Sequence, residues 1–158
     1  MKQSLYGYTL LQLQDLMLSL NLKKYNGEQV LRWLYQSQVK AIDEMTNLSL
    51  NVREVLKEKY EIYLPKIVKK QISNDGTIKF LLELEDKNLV ETVLMRYSYG
   101  NAVCVSSQVG CKMGCKFCAS TGIPFIRSLT AGEIVEQILA VEQDTGDKIS
   151  NVVFMGIG

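Results

Sequence analysis

The sequence predicts an α+β domain followed by the beginning of an α/β domain, and three patterns along the chain support this. Apolar residues recur at helical spacing through residues 1–60. From Pro65 the pattern changes to short alternating runs separated by hairpin-type turns. The last third reads as strand, loop, helix and strand, which is a βαβ unit. We therefore predict a helical domain with linking β-hairpins over residues 1–95 and an α/β part over residues 96–158.

Three helices are predicted within residues 1–60. The first begins after Thr9, because Gln12 stands three places later in a capping-box pattern and apolar residues then recur every three or four positions. The second runs from Asn26 to Gln36, and Ser49 is positioned to cap the third. The larger apolar side chains of this segment are expected to form its core: Trp33, Tyr35, Met45 and Leu48.

Four strands are predicted next, over residues 66–73, 77–84, 89–97 and 102–107. Their connections contain Asn74-Asp75-Gly76, Glu85-Asp86-Lys87-Asn88 and Tyr99-Gly100-Asn101, which are typical of tight turns.

A further helix begins after Thr130, where Glu133 completes a second capping box, and ends near Gly146. Residues 151–155 then read as a buried strand, parallel to the fourth, with a right-handed crossover. Because one βαβ unit cannot cover both faces of a parallel sheet, we expect these residues to be the front part of a longer protein.

The composition is that of a globular protein, with 47% hydrophobic and 22% charged residues. Polar residues such as Gln12, Gln14 and Asp15 interrupt the N-terminal apolar residues, so no secretion signal is predicted. No apolar run approaches the roughly 20 residues that a membrane span requires. We therefore expect a cytoplasmic protein that does not enter membranes.

The net charge of +1 is small, but the charges are unevenly distributed. Residues 1–72 contain 11 Lys and Arg against 7 Asp and Glu, whereas the remainder has an acidic surplus. A basic N-terminal part could contact RNA phosphates. On the charge distribution alone, a solvated helical surface is the simpler interpretation. The chain has no histidine, so any proton transfer must use a carboxylate, a thiol, a lysine or a tyrosine.

Three of the four cysteines form a CxxxCxxC pattern after a predicted strand: Cys111, Cys115 and Cys118. Three closely spaced thiolates can hold three irons of a 4Fe–4S cluster and leave the fourth iron open for a bidentate ligand. Gly110 and Gly114 permit a tight backbone whose amide groups point at the sulfurs. The pattern therefore indicates an iron–sulfur site with one open metal position.

An all-thiolate zinc site is the main alternative, in which Cys104 would join the other three cysteines. Structural zinc usually uses two CxxC-like knuckles, and this sequence has one. Cys104 also lies within a predicted strand rather than on a knuckle. The spacing therefore favours the iron–sulfur cluster over zinc.

The CxxxCxxC spacing resembles the radical S-adenosylmethionine (SAM) motif, and the flanking string VSSQVGCKMGCKFCASTG narrows the resemblance. It looks like the radical SAM rRNA/tRNA adenine-C2 methyltransferases of the dual-specificity RlmN type. The segment from Gly27 to Tyr60, with its RWLY and EMTNLS strings, resembles that family's N-terminal accessory domain. The resemblance covers essentially the whole chain. It implies a helical accessory domain followed by the start of a partial (β/α) radical SAM barrel.

The resemblance implies an enzyme that methylates C2 of a specific adenine in 23S rRNA and in tRNA, with SAM and a 4Fe–4S cluster as cofactors. In this family the reduced cluster cleaves SAM to a 5′-deoxyadenosyl radical, which takes hydrogen from a methyl group carried by a cysteine near the C-terminus. The resulting carbon radical adds to C2. The implied partners are the two RNAs and an electron donor such as flavodoxin, and a monomer is expected.

The resemblance also assigns roles to four residues outside the motif. Glu91 stands at the place of the proton acceptor for C2, and a buried glutamate would have a raised proton affinity, which is appropriate for that task. Cys104 matches the cysteine that forms a disulfide with the methyl-carrying cysteine and so releases the RNA. Taken alone, Glu91 is a polar strand residue and Cys104 a small buried one. Gly156 and Gly158 match the start of the glycine-rich SAM-binding turn.

Two features of the family are absent from residues 1–158: the methyl-carrying cysteine and the Glu-Pro that continues the glycine turn. We therefore expect these residues to hold a cluster but not to turn over. Two other functions stay open on the sequence. One is the related C8-methylating 23S rRNA resistance enzyme, which would use the same cysteines, and the other is a zinc-stabilised RNA-binding module.

Overall fold

A computed structural model describes residues 2–120 and 122–158, and the chain divides into two compact units, Met1–Tyr63 and Leu64–Gly158. The domain boundary was predicted near residue 95, whereas the chain divides after Tyr63. Residue 95 lies inside a strand of the second unit. The hairpins that were grouped with the helices pair instead with the strand that follows them. Among the described residues, no helix combines the length and the apolar character needed to span a bilayer.

The first unit is helical. It contains α1 (Leu10–Ser19), α2 (Asn26–Tyr35), a 3-10 turn (Ile42–Glu44) and α3 (Leu50–Lys59). Two short parallel strands, β1 (Gln3–Ser4) and β2 (Tyr60–Glu61), bring the ends of this unit together. The three predicted helices are confirmed, whereas the β1–β2 pair was not predicted.

The predicted helix caps are present in the first unit. The Thr9 hydroxyl accepts a hydrogen bond from the Gln12 amide at 3.3 Å, and the Gln12 side chain accepts one from the Thr9 amide at 2.8 Å. The Ser49 hydroxyl accepts a hydrogen bond from the Val52 amide at 3.4 Å. A cap of this kind stabilises a helix by about 1 kcal/mol, so these residues fix where α1 and α3 begin.

The predicted core of the first unit is confirmed in part. Met45 and Leu48 are buried, together with side chains from all three helices. Trp33 and Tyr35 are half-buried, because their polar ends bond at the surface of the unit. The Trp33 indole N–H donates to Asn47 Oδ1 at 2.6 Å, and the Tyr35 hydroxyl accepts from the Gly7 amide at 3.1 Å.

The second unit is built on a five-stranded sheet with strand order β3-β4-β5-β6-β9. Its strands are β3 (Lys66–Ile72), β4 (Ile78–Glu83), β5 (Leu89–Tyr97), β6 (Gly100–Cys104) and β9 (Ile149–Val153). A separate two-stranded ladder joins β7 (Gln108–Val109) to β8 (Arg127–Ser128), and α4 spans Ala131–Thr145. β3 to β6 are antiparallel neighbours, and β9 runs parallel to β6 as predicted.

One face of this sheet forms the core with α4. Alternate residues of β4 and β5 are buried on this face, and Val141 of α4 belongs to the same cluster as Phe80 and Leu94. α4 begins at the predicted Thr130–Glu133 capping box and ends at Gly146, whose φ of 75° lies in the left-handed region. The opposite face carries half-buried side chains from the same strands, including Lys79, Leu81 and Glu91. We call this the open face.

The last strand differs from its prediction. It spans Ile149–Val153 rather than residues 151–155, and it is exposed rather than buried. β9 forms an edge of the sheet, with Val152 41% exposed, and Phe154 and Met155 beyond it are more exposed still. The apolar run correctly indicated a strand, but within the described residues only β6 pairs with it.

Candidate functional site

The three motif cysteines lie in a loop that is closed at its base by the β7–β8 ladder. Residues 110–126, called here the cysteine loop, run between Val109 and Arg127, which face each other in that ladder. The Ile126 amide donates to the Val109 carbonyl at 2.8 Å. Gly110 has φ 69°, and a Cβ there would overlap the Pro124 carbonyl oxygen. The two ends of the loop are therefore held together by the ladder, and its first residue, Gly110, must be glycine.

All four cysteines carry free thiols, so thiolate donors are available. Cys111 and Cys115 are half-buried and Cys118 is exposed. The Met113 amide donates to Cys111 Sγ at 3.5 Å, and Gly114 has φ 61°, as expected of a tight turn with amides directed at sulfur. In residues 2–120 and 122–158 no three His, Cys, Asp or Glu side chains are gathered as a metal site. The donor set fits a thiolate-bound cluster, and the assignment of the three cysteines stays a prediction.

The open face brings Glu91 and Cys104 onto adjacent strands. Cys104 of β6 is paired with Val93 of β5, and Glu91 stands two residues before Val93, so both side chains belong to the same face. Diagonal neighbours of this kind have their Cβ atoms within roughly 7–8 Å of each other. Glu91 and Cys104, to which the family resemblance assigns the proton and thiol chemistry, are therefore neighbours in the fold.

Glu91 is half-buried rather than buried. Its side chain is 42% exposed, and the Lys79 ammonium lies 3.1 Å from its carboxylate. Lys79 reaches it from the neighbouring strand β4, on the same open face. The carboxylate is thus held by an opposite charge rather than desolvated.

A cavity of about 610 Å³, called here the central cavity, connects the open face to the cysteine loop. Glu91 and Lys79 line it on the sheet side, and Gly110 and Ser120 line it on the loop side. Ile157, between the two glycines of the C-terminal turn, also contributes. Lys87 and Asn88 add two polar side chains, and the remaining lining is apolar: Leu81, Leu89, Val109, Ala119, Ile123, Pro124 and Ile126. The sheet, the cysteine loop and the glycine turn therefore each contribute to one cavity, but of the predicted site residues themselves only Glu91 lines it.

The glycine turn packs against the strand end that leads into the cysteine loop. The Gly156 amide donates to the Val105 carbonyl at 3.2 Å, and the Ile157 amide donates to the Ser106 hydroxyl at 3.1 Å. A Cβ on Gly156 would lie 2.6 Å from the Val105 oxygen, and one on Gly158 would overlap the Ser107 hydroxyl. This close approach by itself explains why both positions are glycine. A role of Gly156 and Gly158 in binding SAM therefore rests on the family resemblance.

A buried polar network behind the site was not predicted. Gln137 of α4, fully buried, accepts hydrogen bonds through Oε1 from the Thr92 hydroxyl at 2.8 Å and from the Ser106 amide at 3.0 Å. Its Nε2 donates to the Ser106 carbonyl at 3.0 Å. The Ser106 hydroxyl donates in turn to the Glu91 carbonyl at 2.6 Å. The sequence signal for this network was available: a glutamine stands among the apolar positions of α4.

Arg127 anchors the end of the cysteine loop electrostatically. Its guanidinium bonds the Glu133 carboxylate at 2.6 Å and the Asp86 carboxylate at 2.7 Å. Hydrogen bonding to Glu133 raises the pKa of Arg127. Burial alone would raise the pKa of Glu133, but bonds from Arg127 and the Thr130 amide outweigh it and hold that pKa below its ordinary value. The charges therefore tie β8 to the start of α4 and to the β4–β5 turn.

Comparison with known proteins gives the same picture. Residues 3–62 match the family described as the ribosomal RNA large subunit methyltransferase N-terminal domain. A protein of Clostridium novyi (strain NT), named "Probable dual-specificity RNA methyltransferase RlmN", is 46% identical over 157 residues. A protein of Staphylococcus carnosus (strain TM300) with the same name is 49% identical over 160 residues. Each alignment covers 99% of this chain and 46% or 44% of the relative.

A solved structure is also similar. The crystal structure of a radical SAM methyltransferase from Sphaerobacter thermophilus matches with a TM-score of 0.88 at 36% identity, over 99% of this chain and 47% of that one. The chain thus spans somewhat less than half the length of the relatives it matches. The predicted fold class, a helical domain followed by the beginning of a radical SAM barrel, is confirmed. The chain therefore matches, in sequence and in fold, the N-terminal portion of the RlmN-type radical SAM methyltransferases.

Proposed function

We propose that the protein takes part in radical SAM methylation of C2 of a specific adenine in 23S rRNA and in tRNA, in the cytoplasm. The observation that supports this most directly is the central cavity, which Glu91, the cysteine loop and the glycine turn border together. Its volume of about 610 Å³ lies in the range of small-molecule sites, roughly 300–1,000 Å³. An apolar lining with a few polar groups suits a flat base taken out of an RNA stack.

The cysteine loop would hold the cofactor in this proposal. Cys111, Cys115 and Cys118 would bind a 4Fe–4S cluster through their thiolates, and SAM would dock beside the glycine turn at Gly156 and Gly158. The bound cofactors would supply one-electron chemistry, which the reaction needs because adenine C2 is not nucleophilic. The β7–β8 ladder and the Gly110 contact keep both ends of the loop at the rim of the cavity.

The open face would supply the proton and thiol chemistry. The Glu91 carboxylate accepts the proton from C2, and Lys79, 3.1 Å away, keeps that carboxylate oriented along the sheet. The Cys104 thiol, on the neighbouring strand, forms the disulfide with the methyl-carrying cysteine that separates protein from RNA. That cysteine is not among residues 1–158.

Anaerobic reconstitution with iron and sulfide tests the cofactor assignment. We expect a brown protein with about four irons per chain, and loss of the iron in each of the Cys111→Ala, Cys115→Ala and Cys118→Ala variants. Cys104→Ala is the matched control, because it removes a thiol outside the loop and should keep the iron.

Uptake of one zinc and no iron would overturn the proposal in favour of a zinc-stabilised RNA-binding module. Equal loss of iron in Cys104→Ala would overturn the role given to Cys104. The methylated position is tested separately, by mass spectrometry of adenosine from RNA treated with an enzyme that contains this chain. A C8 product would replace the C2 assignment.

A further inference from the structure

A second, smaller cavity adjoins the central cavity on the open face. This polar cleft, of about 280 Å³, is lined by Lys69, Gln71, Lys79, Leu81 and Glu91. Lys79, Leu81 and Glu91 line both cavities, so the two spaces meet at the Lys79–Glu91 ion pair. Anything that fills the central cavity and extends toward β3 enters the polar cleft.

The polar cleft has a free positive charge. Lys79 is neutralised by Glu91, which lies 3.1 Å away on the neighbouring strand. Lys69, an exposed residue of β3, makes no ion pair with any residue in the described part of the chain. Gln71, also exposed, adds a side-chain amide to the same wall. The cleft therefore offers one unpaired ammonium and one amide donor, beside a glutamate whose charge is already compensated.

The geometry points to a phosphate subsite, and we propose that the polar cleft binds an RNA backbone phosphate next to the adenine held in the central cavity. This inference rests on the proposed function. The central cavity is lined mainly by apolar groups, which suit a base, whereas the cleft is lined mainly by charged and amide groups, which suit a phosphate. No aromatic ring lines the cleft, so a stacked second base is a poorer fit.

RNA binding by the chain, measured as a function of salt, tests the subsite. The probe is a fluorescently labelled RNA hairpin with an unpaired adenosine in its loop, titrated by anisotropy between 50 and 300 mM KCl. Each phosphate neutralised by a lysine contributes roughly 0.7–0.9 to the slope of log affinity against log salt. We expect Lys69→Gln to lower that slope by about this amount, and to weaken binding about five- to eight-fold at 0.1 M salt.

Two further variants serve as controls. Lys148→Gln removes the same charge from a residue that is 79% exposed, just before β9, at the end of the sheet remote from Cys104. We expect it to leave the slope unchanged. Lys69→Arg keeps the charge and should restore the wild-type slope.

The outcomes separate the two proposals. If the chain binds the hairpin and Lys69→Gln behaves like Lys148→Gln, the phosphate subsite is wrong while the RNA function stands. If Lys69→Arg fails to restore the slope, charge at this position is not what binds the RNA, and the subsite is again wrong. If the wild-type chain shows no salt-dependent RNA binding, the RNA function falls and the subsite falls with it.

Discussion

Replacement of Gln137 by methionine should destabilise the second unit strongly, although the two side chains are similar in size. Gln137 is fully buried and bonds the Thr92 hydroxyl, the Ser106 amide and the Ser106 carbonyl. Methionine would leave these three buried polar groups without their partner, and each such group costs about 1–3 kcal/mol. We therefore expect Gln137→Met to lower the free energy of unfolding by at least about 3 kcal/mol.

The measurement is urea unfolding followed by far-UV circular dichroism, with hydrogen exchange of the peptide that covers residues 100–110 to localise the effect. Gln71→Met is the matched control, because Gln71 is an exposed residue of the same unit. It should change the free energy of unfolding by no more than about 0.5 kcal/mol.

A double-mutant cycle with Thr92→Val isolates the cause. In the wild-type background, loss of the Thr92 hydroxyl removes one hydrogen bond and should cost about 1 kcal/mol. In the Gln137→Met background the same change removes an orphaned hydroxyl and should be neutral or stabilising. A cost below about 1 kcal/mol for Gln137→Met, or equal effects of Thr92→Val in both backgrounds, would refute the reasoning.

Two other predictions concern the base of the cysteine loop. Gly110→Ala should prevent the loop from closing normally, because a Cβ would overlap Pro124 at a left-handed backbone position, and the expected result is faster proteolysis within residues 110–126. The lowered pKa of Glu133 implies that its bond to Arg127 stabilises the fold above the ordinary glutamate pKa and that this contribution disappears as pH falls through the lowered value. The acid limb of the stability–pH curve should therefore be shallower in Glu133→Gln, and an unchanged curve would contradict the prediction.

The sequence predicted local structure well because local structure depends on neighbouring residues. Thr9 and Thr130 each stand three places before a Gln or Glu, and both capping boxes form as expected. The tight turns before residues 77 and 89 likewise place the hairpins correctly. Both signals act within a few residues, so no knowledge of the tertiary fold is needed to read them.

Contacts between distant segments could not be predicted in the same way. The β1–β2 pair joins Gln3 to Tyr60, and its strands are too short to show an alternating pattern. The Lys79–Glu91 ion pair joins side chains on neighbouring strands, and its two partners cannot be read from either strand alone. The three cysteines were grouped from their spacing, and their assignment as cluster ligands stays a prediction. The end of the loop that carries them is held by Arg127, Asp86 and Glu133, which lie on three different elements.

The β7–β8 ladder has a consequence for the order in which the protein matures. The ladder already holds the two ends of residues 110–126 together. The entropic cost of closing a loop of this length, about 2.5 kcal/mol, is therefore met before any metal binds. In the proposed function, folding and metallation are then successive events: the polypeptide closes the loop first, and the three thiols gather around iron and sulfide afterwards. This contrasts with small zinc domains, in which the metal itself drives folding.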